Sequence, residues 1–274
     1  MKFCLKWNNF CLNLNKADEI SIRYIEDKGL IDFIKKYEEK RINLRIVTKA
    51  FSEKEFLKLA AIKKQYPNFN FAIAMDEPHG LLAYECKDKE IPFYIATPCR
   101  DWETFNYFVK ELCVSDINVS GPLAFELPKV KRFLERLDRK VQVRITPNFM
   151  ESITSVCHPL QTFFVRPEDL ELYEPYVDVV EFEGIEHQDT FFNIYAKEKV
   201  FIGKLNQLIY NFPLQINNIG LSKLFTERRI SCGRECLAGG YCDRCFSMTR
   251  LAEKITPKLV EDLKKKVKEK NETN

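Results

Sequence analysis

Four cysteines lie close together in the segment ISCGRECLAGGYCDRCF, which runs from residue 230 to residue 246. They are Cys232, Cys236, Cys242 and Cys245, and their spacing is CxxxC, five residues, then CxxC. Thiolates are the preferred ligands of zinc and of iron–sulfur clusters. Four of them within fourteen residues therefore predict a metal site.

The spacing of these cysteines leaves the metal open between a [4Fe–4S] cluster and Zn²⁺. Structural zinc sites usually have two CxxC-like pairs separated by a dozen or more residues, and the separation here is shorter and uneven. The uneven spacing resembles, in reverse order, the compact cysteine loops of auxiliary iron–sulfur domains, so we favour [4Fe–4S]. The CxxxCxxC signature of radical enzymes is absent from the sequence.

A second set of polar residues alternates with apolar ones in several strand-like segments. In VQVRITP, for example, Arg144 shares one face with Gln142 and Thr146, because successive side chains of a strand point to opposite faces. The same alternation gives seven candidate ligand-binding residues: Arg23, Arg45, Asp76, Arg144, Arg166, Glu181 and Glu183. Uncharged partners on these faces are Ser21, Asn43, Asn70, Asn118, Ser120 and Thr162.

Two interpretations of these charged faces stay open. One is a structural network of arginines and carboxylates, because buried charges must be paired. The other, which we favour, is a cavity for an anionic ligand, because guanidinium groups suit carboxylates and phosphates.

Strand-like and helix-like segments alternate along the chain and must position these residues. The eight predicted strands are 19–25, 42–48, 69–75, 92–98, 116–121, 141–147, 161–167 and 177–184. Such alternation predicts an α/β fold, a (βα)8 TIM-like barrel. The alternative is an open doubly wound sheet, but no glycine-rich phosphate loop follows the first strand.

We expect residues 1–210 to form the barrel, with the first fifteen residues as a strand or hairpin that caps its bottom. Residues 211–274 would form a C-terminal extension that carries the four-cysteine metal site and a terminal helix from about residue 257.

The composition excludes some classes of protein and favours others. With 43 basic and 40 acidic residues, the net charge of +3 gives no support for broad nucleic-acid binding. No apolar run is long enough for a membrane span, and the start does not resemble a signal peptide. We therefore expect a cytoplasmic location, where thiols stay reduced.

Hydrolase motifs are missing. The sequence contains neither GxSxG nor HExxH. Its three histidines are His79, His158 and His187, and His158 is adjacent to Cys157 rather than distant from it, as catalytic partners usually are. A protease therefore has little support from individual residues.

The run from residue 91 to residue 184 resembles the barrel of the peptidase U32 family. The resemblance is carried by IPFYIATPCRDWETFNYFVKELCVSDINVSG, by PLAFELPKVKRFLERLDRKVQVRI and above all by VRPEDLELYEPYVDVVEFEG, where Glu181, Glu183 and Gly184 end the passage. The family's HG…C…SGRC segment is missing, and Ile185 stands where the family has arginine.

The resemblance implies a class of function. Several members of that family are iron–sulfur proteins that hydroxylate RNA bases or a quinone precursor, and some use the dicarboxylate prephenate. An iron–sulfur hydroxylase, or an enzyme that modifies RNA or a small anionic molecule, is thus our first hypothesis. The second is a non-enzymatic binding or assembly protein with structural zinc, and the weakest is a U32-type peptidase.

Overall fold

The computed structural model describes most of the chain. The described residues are 1–7, 14–23, 27–46, 52–148, 160, 163–182, 188–197, 201–209, 212–218, 221, 244–254, 258–259, 261–262, 265–266 and 269.

Eight parallel strands form a closed barrel in the order β1 to β8, with β1 paired to both β2 and β8. The strands are β1 Lys2–Lys6, β2 Glu19–Arg23, β3 Arg41–Ile46, β4 Phe69–Ile73, β5 Phe93–Cys99, β6 Asp116–Val119, β7 Gln142–Ile145 and β8 Val179–Phe182. The prediction of a TIM-like barrel is confirmed.

The observed and the predicted strands differ at two places, the N-terminal segment and residues 161–167. The segment at the N-terminus is not a cap, because β1 hydrogen-bonds in parallel with both of its neighbours. The predicted strand 161–167 is wrong for its described residues: 163–166 have no strand structure, and β7 pairs directly with β8 through Arg144 and Val179. Three consecutive buried residues, Phe163 to Val165, imitate a buried strand, and periodicity alone cannot separate the two cases.

Five helices follow strands β2 to β6. They are α1 Asp27–Lys36, α2 Glu53–Gln65, α3 Glu77–Asp88, α4 Trp102–Asn106 and α5 Leu127–Leu134. A π-helical turn, Tyr107–Glu111, continues α4, and short 3-10 helices lie at Leu14–Lys16 and Leu123–Phe125. Side chains of Ser52, Asp76 and Asp101 cap α2, α3 and α4, which satisfies backbone N–H groups at the helix starts.

Apolar residues alternate with polar ones along the barrel strands. Ile20 and Ile22 of β2 are fully buried, and so is Leu44 of β3. Such β-branched and aliphatic residues form the layer between strands and helices. The positions between them carry the polar side chains described below.

The chain divides into two compact units. The first comprises residues 1–146 and 176–189 and contains all eight strands. The second comprises residues 147–175 and 190–274, so the predicted boundary at residue 210 lies within it. Its elements are a 3-10 helix, Pro167–Leu172, most of α6 (Gln188–Lys197), α7 (Leu205–Leu208) and α8 (Arg244–Glu253). No helix in the described ranges has the length and apolar character needed to cross a membrane.

Candidate functional site

Strand register brings the polar residues onto one face of the sheet. Glu19 of β2 is paired with Arg41 of β3, and Arg23 with Arg45. Paired residues of parallel strands share a face, and every second residue returns to it. Arg144 of β7 donates to Glu19 of β2, a strand that is not its neighbour in the barrel, so the polar set faces the barrel interior.

Arg144 of β7 lies at the centre of this interior with no solvent exposure. Its Nη2 donates to Asp116 Oδ2 at 2.6 Å and to Glu19 Oε2 at 2.8 Å, and its Nε donates to Asp116 Oδ1 at 3.2 Å. Its Nη1 donates to Glu181 Oε2 at 3.3 Å. The guanidinium carbon also lies 4.8 Å from the ring centroid of Tyr94. Three carboxylates thus surround one buried cation.

Arg41 joins the same network at the amino ends of the strands. Its Nη2 lies 3.3 Å from Asp116 Oδ2, and its Nε donates to Asn43 Oδ1 at 3.2 Å. Its Nη1 also donates to Gln142. Asn43 in turn donates to Glu19 Oε2 at 3.2 Å, so this end of the network is held by amides as well as by charges.

The three carboxylates of this network respond differently to their surroundings: burial raises the pKa of Asp116 despite Arg144 and Arg41, whereas the pKa values of Glu19 and Glu181 are lowered. Burial by itself would raise the pKa of Glu19, but Arg144 and Arg41 outweigh burial and hold that pKa below its ordinary value. The pKa of Glu181 is lowered in the same way, where Lys6 and Arg144 outweigh burial. The lowered pKa values of Glu19 and Glu181 therefore depend on the fold, which places the cations beside them.

A thiol lies beside these charges. Cys4 of β1 is fully buried, its Sγ is 3.3 Å from Ser21 Oγ, and that hydroxyl is 3.5 Å from Tyr94 Oη. Burial raises the pKa of Cys4 to about 12. Because the thiolate is the nucleophilic form, Cys4 is a packed thiol and not a nucleophile.

Lys6 and Arg45 lie nearer the carboxyl ends of the strands, where barrel enzymes place their active sites. Lys6 ends β1, its Nζ lies 3.1 Å from Glu181 Oε1, and 14% of its side chain is exposed. Arg45 is half-buried and acts electrostatically on Lys6 and on Glu181. Arg23, its partner in the register, is exposed.

The described interior charges balance only without Arg45. Glu19, Asp116 and Glu181 are matched by Arg41, Arg144 and Lys6 in the contacts given above, which leaves Arg45 as an additional cation. Within the described ranges, no carboxylate oxygen lies within 4.0 Å of the guanidinium nitrogens of Arg45. This end of the barrel therefore has an excess of positive charge among the described groups.

Two buried oxygen atoms, one on β6 and one just beyond it, have no hydrogen bond among the described residues. Asn118 is 2% exposed, and its Nδ2 donates to Thr146 Oγ1 at 3.3 Å. Asn118 Oδ1 and the hydroxyl of Ser120, which is 8% exposed, have no hydrogen-bond partner among the described residues. A ligand or an ordered water would satisfy them.

The remaining predicted ligand residues do not join this group. Asp76 is about half exposed and caps α3, where it accepts from the backbone N–H of His79 at 3.3 Å. Arg166 is buried in the second unit, where it precedes the 3-10 helix and binds the carboxylate of Asp169 through Nε and Nη2. Its Nη1 donates to the carbonyl of Leu221 at 2.7 Å. The prediction that Arg166 points inward from a barrel strand is therefore wrong, because residues 163–166 form no strand. Glu183 and Thr162 lie outside the described residues.

The predicted metal ligands are mostly outside the described residues. This applies to Cys232, Cys236 and Cys242, whereas Cys245 lies in α8 and is partly exposed. Where the structure is described, no cluster of three or more His, Cys, Asp or Glu residues could hold a metal ion. The four-cysteine site stays a prediction.

Sequence reasoning missed several members of the network, namely Lys6, Glu19, Arg41, Tyr94 and Asp116. Two of them could have been predicted from the same alternation. Glu19 lies two residues before Ser21 and Asp116 two residues before Asn118, so each shares a strand face with a residue that was assigned to the interior. Lys6 was missed because its strand was interpreted as a cap.

In comparisons with known proteins, no protein-family model matches the chain, and no curated protein matches it. The similarity to the U32 family therefore rests on the quoted sequence motifs and stays a hypothesis.

Proposed function

We propose that the protein is a barrel enzyme that binds a small anionic substrate at the carboxyl ends of its strands. The observation that carries the proposal is the position of Arg45. It is a half-buried guanidinium beside the Lys6–Glu181 pair, without an ion-pair partner in the described part of the chain.

An anion would complete the charge balance at this end of the barrel. Lys6 and Arg45 bring two positive charges, and Glu181 brings one negative charge. Charges that are partly removed from water require compensation, and a guanidinium offers a planar pair of donors that fits a carboxylate or a phosphate. The exposed Arg23, adjacent in the register, would attract the anion from solvent.

Arg144 has a different role in this proposal. It was a candidate ligand residue, but its hydrogen bonds go to Glu19, Asp116 and Glu181. We assign it to positioning, because it fixes Glu181, which in turn contacts Lys6.

The chemical step in the proposal depends on the four-cysteine site. The spacing of Cys232, Cys236, Cys242 and Cys245 supports a metal, with [4Fe–4S] favoured over Zn²⁺. The U32-like motifs support an iron–sulfur-dependent modification, such as hydroxylation, of a small molecule or of RNA; RNA is supported by that resemblance alone.

One observation favours a second candidate function, a non-enzymatic binding or assembly protein with a structural zinc site. The hydrogen bonds of Arg144 to three carboxylates are what a purely structural network would show. In that case the barrel interior serves stability and binds no ligand.

A thermal-shift screen separates the two candidates. Wild-type protein would be melted with phosphate and with a panel of small mono-, di- and tricarboxylates. Arg45→Gln would be tested beside it, with Arg136→Gln as the control, because Arg136 is an exposed arginine two residues after the end of α5. We expect at least one anion to raise the Tm of the wild type and of Arg136→Gln, but not that of Arg45→Gln. If no anion raises the wild-type Tm, the structural network is the correct interpretation.

A further inference from the structure

Lys6 has the surroundings of a reactive amine. It ends a barrel strand, and its side chain is 14% exposed, so its amine is largely removed from bulk water. Its Nζ lies 3.1 Å from Glu181 Oε1. Most lysine amines on a protein surface extend into water and have no such fixed position.

The pKa of this amine lies below its ordinary value of 10.5, so the amine gives up its proton more readily than an ordinary lysine. Burial lowers the pKa of Lys6, Glu181 opposes that effect, and Arg45 adds to it. A lysine becomes a nucleophile when it is desolvated or lies beside another cation. The side chain of Lys6 is 14% exposed, and Arg45 lies on the same face of the sheet.

We infer that Lys6 forms an imine with the carbonyl carbon of a 2-oxo acid whose carboxylate is held by Arg45. The inference rests on the proposed function, because it uses the same anion site, and it deepens that proposal by naming the substrate class. It uses only Lys6, Glu181 and Arg45, so it applies whichever metal the cysteines hold.

The geometry suits a short substrate. Strands β1 and β3 are both neighbours of β2, so their backbones are roughly 10 Å apart. Lys6 is paired with Ser21, and Ser21 with Asn43, so Arg45, two residues beyond Asn43, shares the inner face of the sheet with Lys6 and lies one step nearer the carboxyl ends of the strands. A carboxylate next to a carbonyl would place one group at each of these two side chains.

The step balances without an oxidant or a reductant. Glu181 first accepts one proton from the Lys6 ammonium. The freed nitrogen lone pair forms a bond to the carbonyl carbon, and the π electrons of the C=O bond move to oxygen. The C–O bond of the resulting carbinolamine then breaks. Protons from the amine pass to that oxygen through Glu181, and one water leaves. The ammonium and the ketone thus become an iminium ion and water.

Reductive trapping tests the inference. Full-length wild-type protein would be incubated with pyruvate and sodium cyanoborohydride near neutral pH, then digested and examined by mass spectrometry. We expect the peptide that contains Lys6 to gain the mass of pyruvate less one oxygen atom. Labelling of Lys6 should exceed that of the exposed Lys2 several-fold, because the lowered pKa raises the neutral fraction of the Lys6 amine and Arg45 holds the carboxylate of pyruvate. Equal labelling of the two lysines would overturn the inference.

Lys63 is the matched control for a lowered pKa alone. Burial lowers its pKa to about 8, but it lies on α2 and donates to the carbonyl of Phe69. We expect pyruvate to label Lys6 more than Lys63. The Arg45→Gln substitution should reduce the ratio of pyruvate labelling to dihydroxyacetone labelling at Lys6, because only pyruvate carries a carboxylate. An unchanged ratio would count against the role of Arg45.

Lactate separates this inference from the proposed function. It has the carboxylate of pyruvate but no carbonyl, so it should raise the Tm and slow the trapping of pyruvate without forming an adduct. If lactate and pyruvate stabilise the protein while Lys6 stays unmodified, imine formation is wrong and anion binding stands. If neither compound binds and Lys6 stays unmodified, the inference fails for 2-oxo acids, and the anion screen decides the proposed function.

Discussion

Arg144 carries a buried positive charge whose cost is offset by three carboxylates within hydrogen-bond distance. Replacing such a network with apolar residues can be neutral, but removing one partner leaves uncompensated charge in the interior. This distinction makes the energetic role of Arg144 measurable.

The Arg144→Met substitution should lower the free energy of unfolding by about 3–5 kcal/mol, because Glu19, Asp116 and Glu181 would lose their shared partner. Urea denaturation measures the change. Arg136→Met, at an exposed position, should stay within about 0.5 kcal/mol of the wild type. A similarly small loss for Arg144→Met would show that the interior is hydrated and that the network is not buried in solution.

Acidification should weaken the fold through Glu19 and Glu181. Their pKa values in the folded protein lie below the ordinary value of 4.5, so the unfolded chain binds protons first as the pH falls. Their contribution to the unfolding free energy is present above about pH 4.5 and is lost as the pH falls through their folded pKa values. Urea midpoints between neutral pH and about pH 3 would measure this loss.

The Glu19→Gln substitution should flatten that acid dependence, since the residue no longer titrates. Glu135→Gln, which removes an exposed carboxylate near the end of α5, should leave it unchanged. An acid dependence that is the same in both variants and in the wild type would assign the loss to other carboxylates.

Strand β1 shows which strands of the barrel the sequence could predict and which it could not. The sequence predicts strand-like segments of six or seven residues at β2 to β6, because the helix-like segment after each one provides a second periodic signal. KFCLK has no helix after it in the described residues, only the 3-10 helix Leu14–Lys16, so its strand pattern lacked that support.

The segment QTFFVRP failed for the opposite reason. Its apolar run predicted a strand, but Val165 N–H donates to the carbonyl of Pro147 and the chain then enters a 3-10 helix.

Which residues meet inside the barrel depends on register, and a single sequence does not specify register between distant strands. This is why Arg144 and Glu181 could be assigned to one face but their contact could not be predicted.

The Leu5→Ala substitution tests whether β1 is an integral part of the barrel. Leu5 has no solvent exposure, so truncation should reduce the unfolding free energy by about 2–5 kcal/mol. Leu81→Ala is the matched control, because Leu81 is 70% exposed on α3, and its effect should be small. Equal, small effects would indicate that the N-terminal segment is peripheral to the barrel in solution.

At the scale of the whole molecule, a complete eight-stranded barrel belongs to one unit, and the four predicted metal ligands belong to the other. The barrel needs no metal for its closure, because every strand pairs with two neighbouring strands. We therefore expect that removal of the anion site leaves the metal site intact, and that removal of the metal site leaves the anion site intact.

Metal content tests the cysteine site directly. Protein purified under anaerobic conditions should contain iron and acid-labile sulfide and should be brown. Cys232→Ser should lose the metal, whereas Cys113→Ser, at an exposed cysteine of the first unit, should keep it. Stoichiometric zinc in a colourless protein would favour the binding or assembly protein, and the absence of any metal would contradict the predicted site.

Arg45 is proposed to create an anion site at the carboxyl ends of the barrel strands. Calorimetric titration of the best anion from the screen into wild type, Arg45→Gln and Arg136→Gln would measure its contribution to binding. We expect the Kd to rise about tenfold or more in Arg45→Gln only, because a charge-assisted hydrogen bond contributes about 1.5–3 kcal/mol. An equal Kd in all three proteins would contradict the claim.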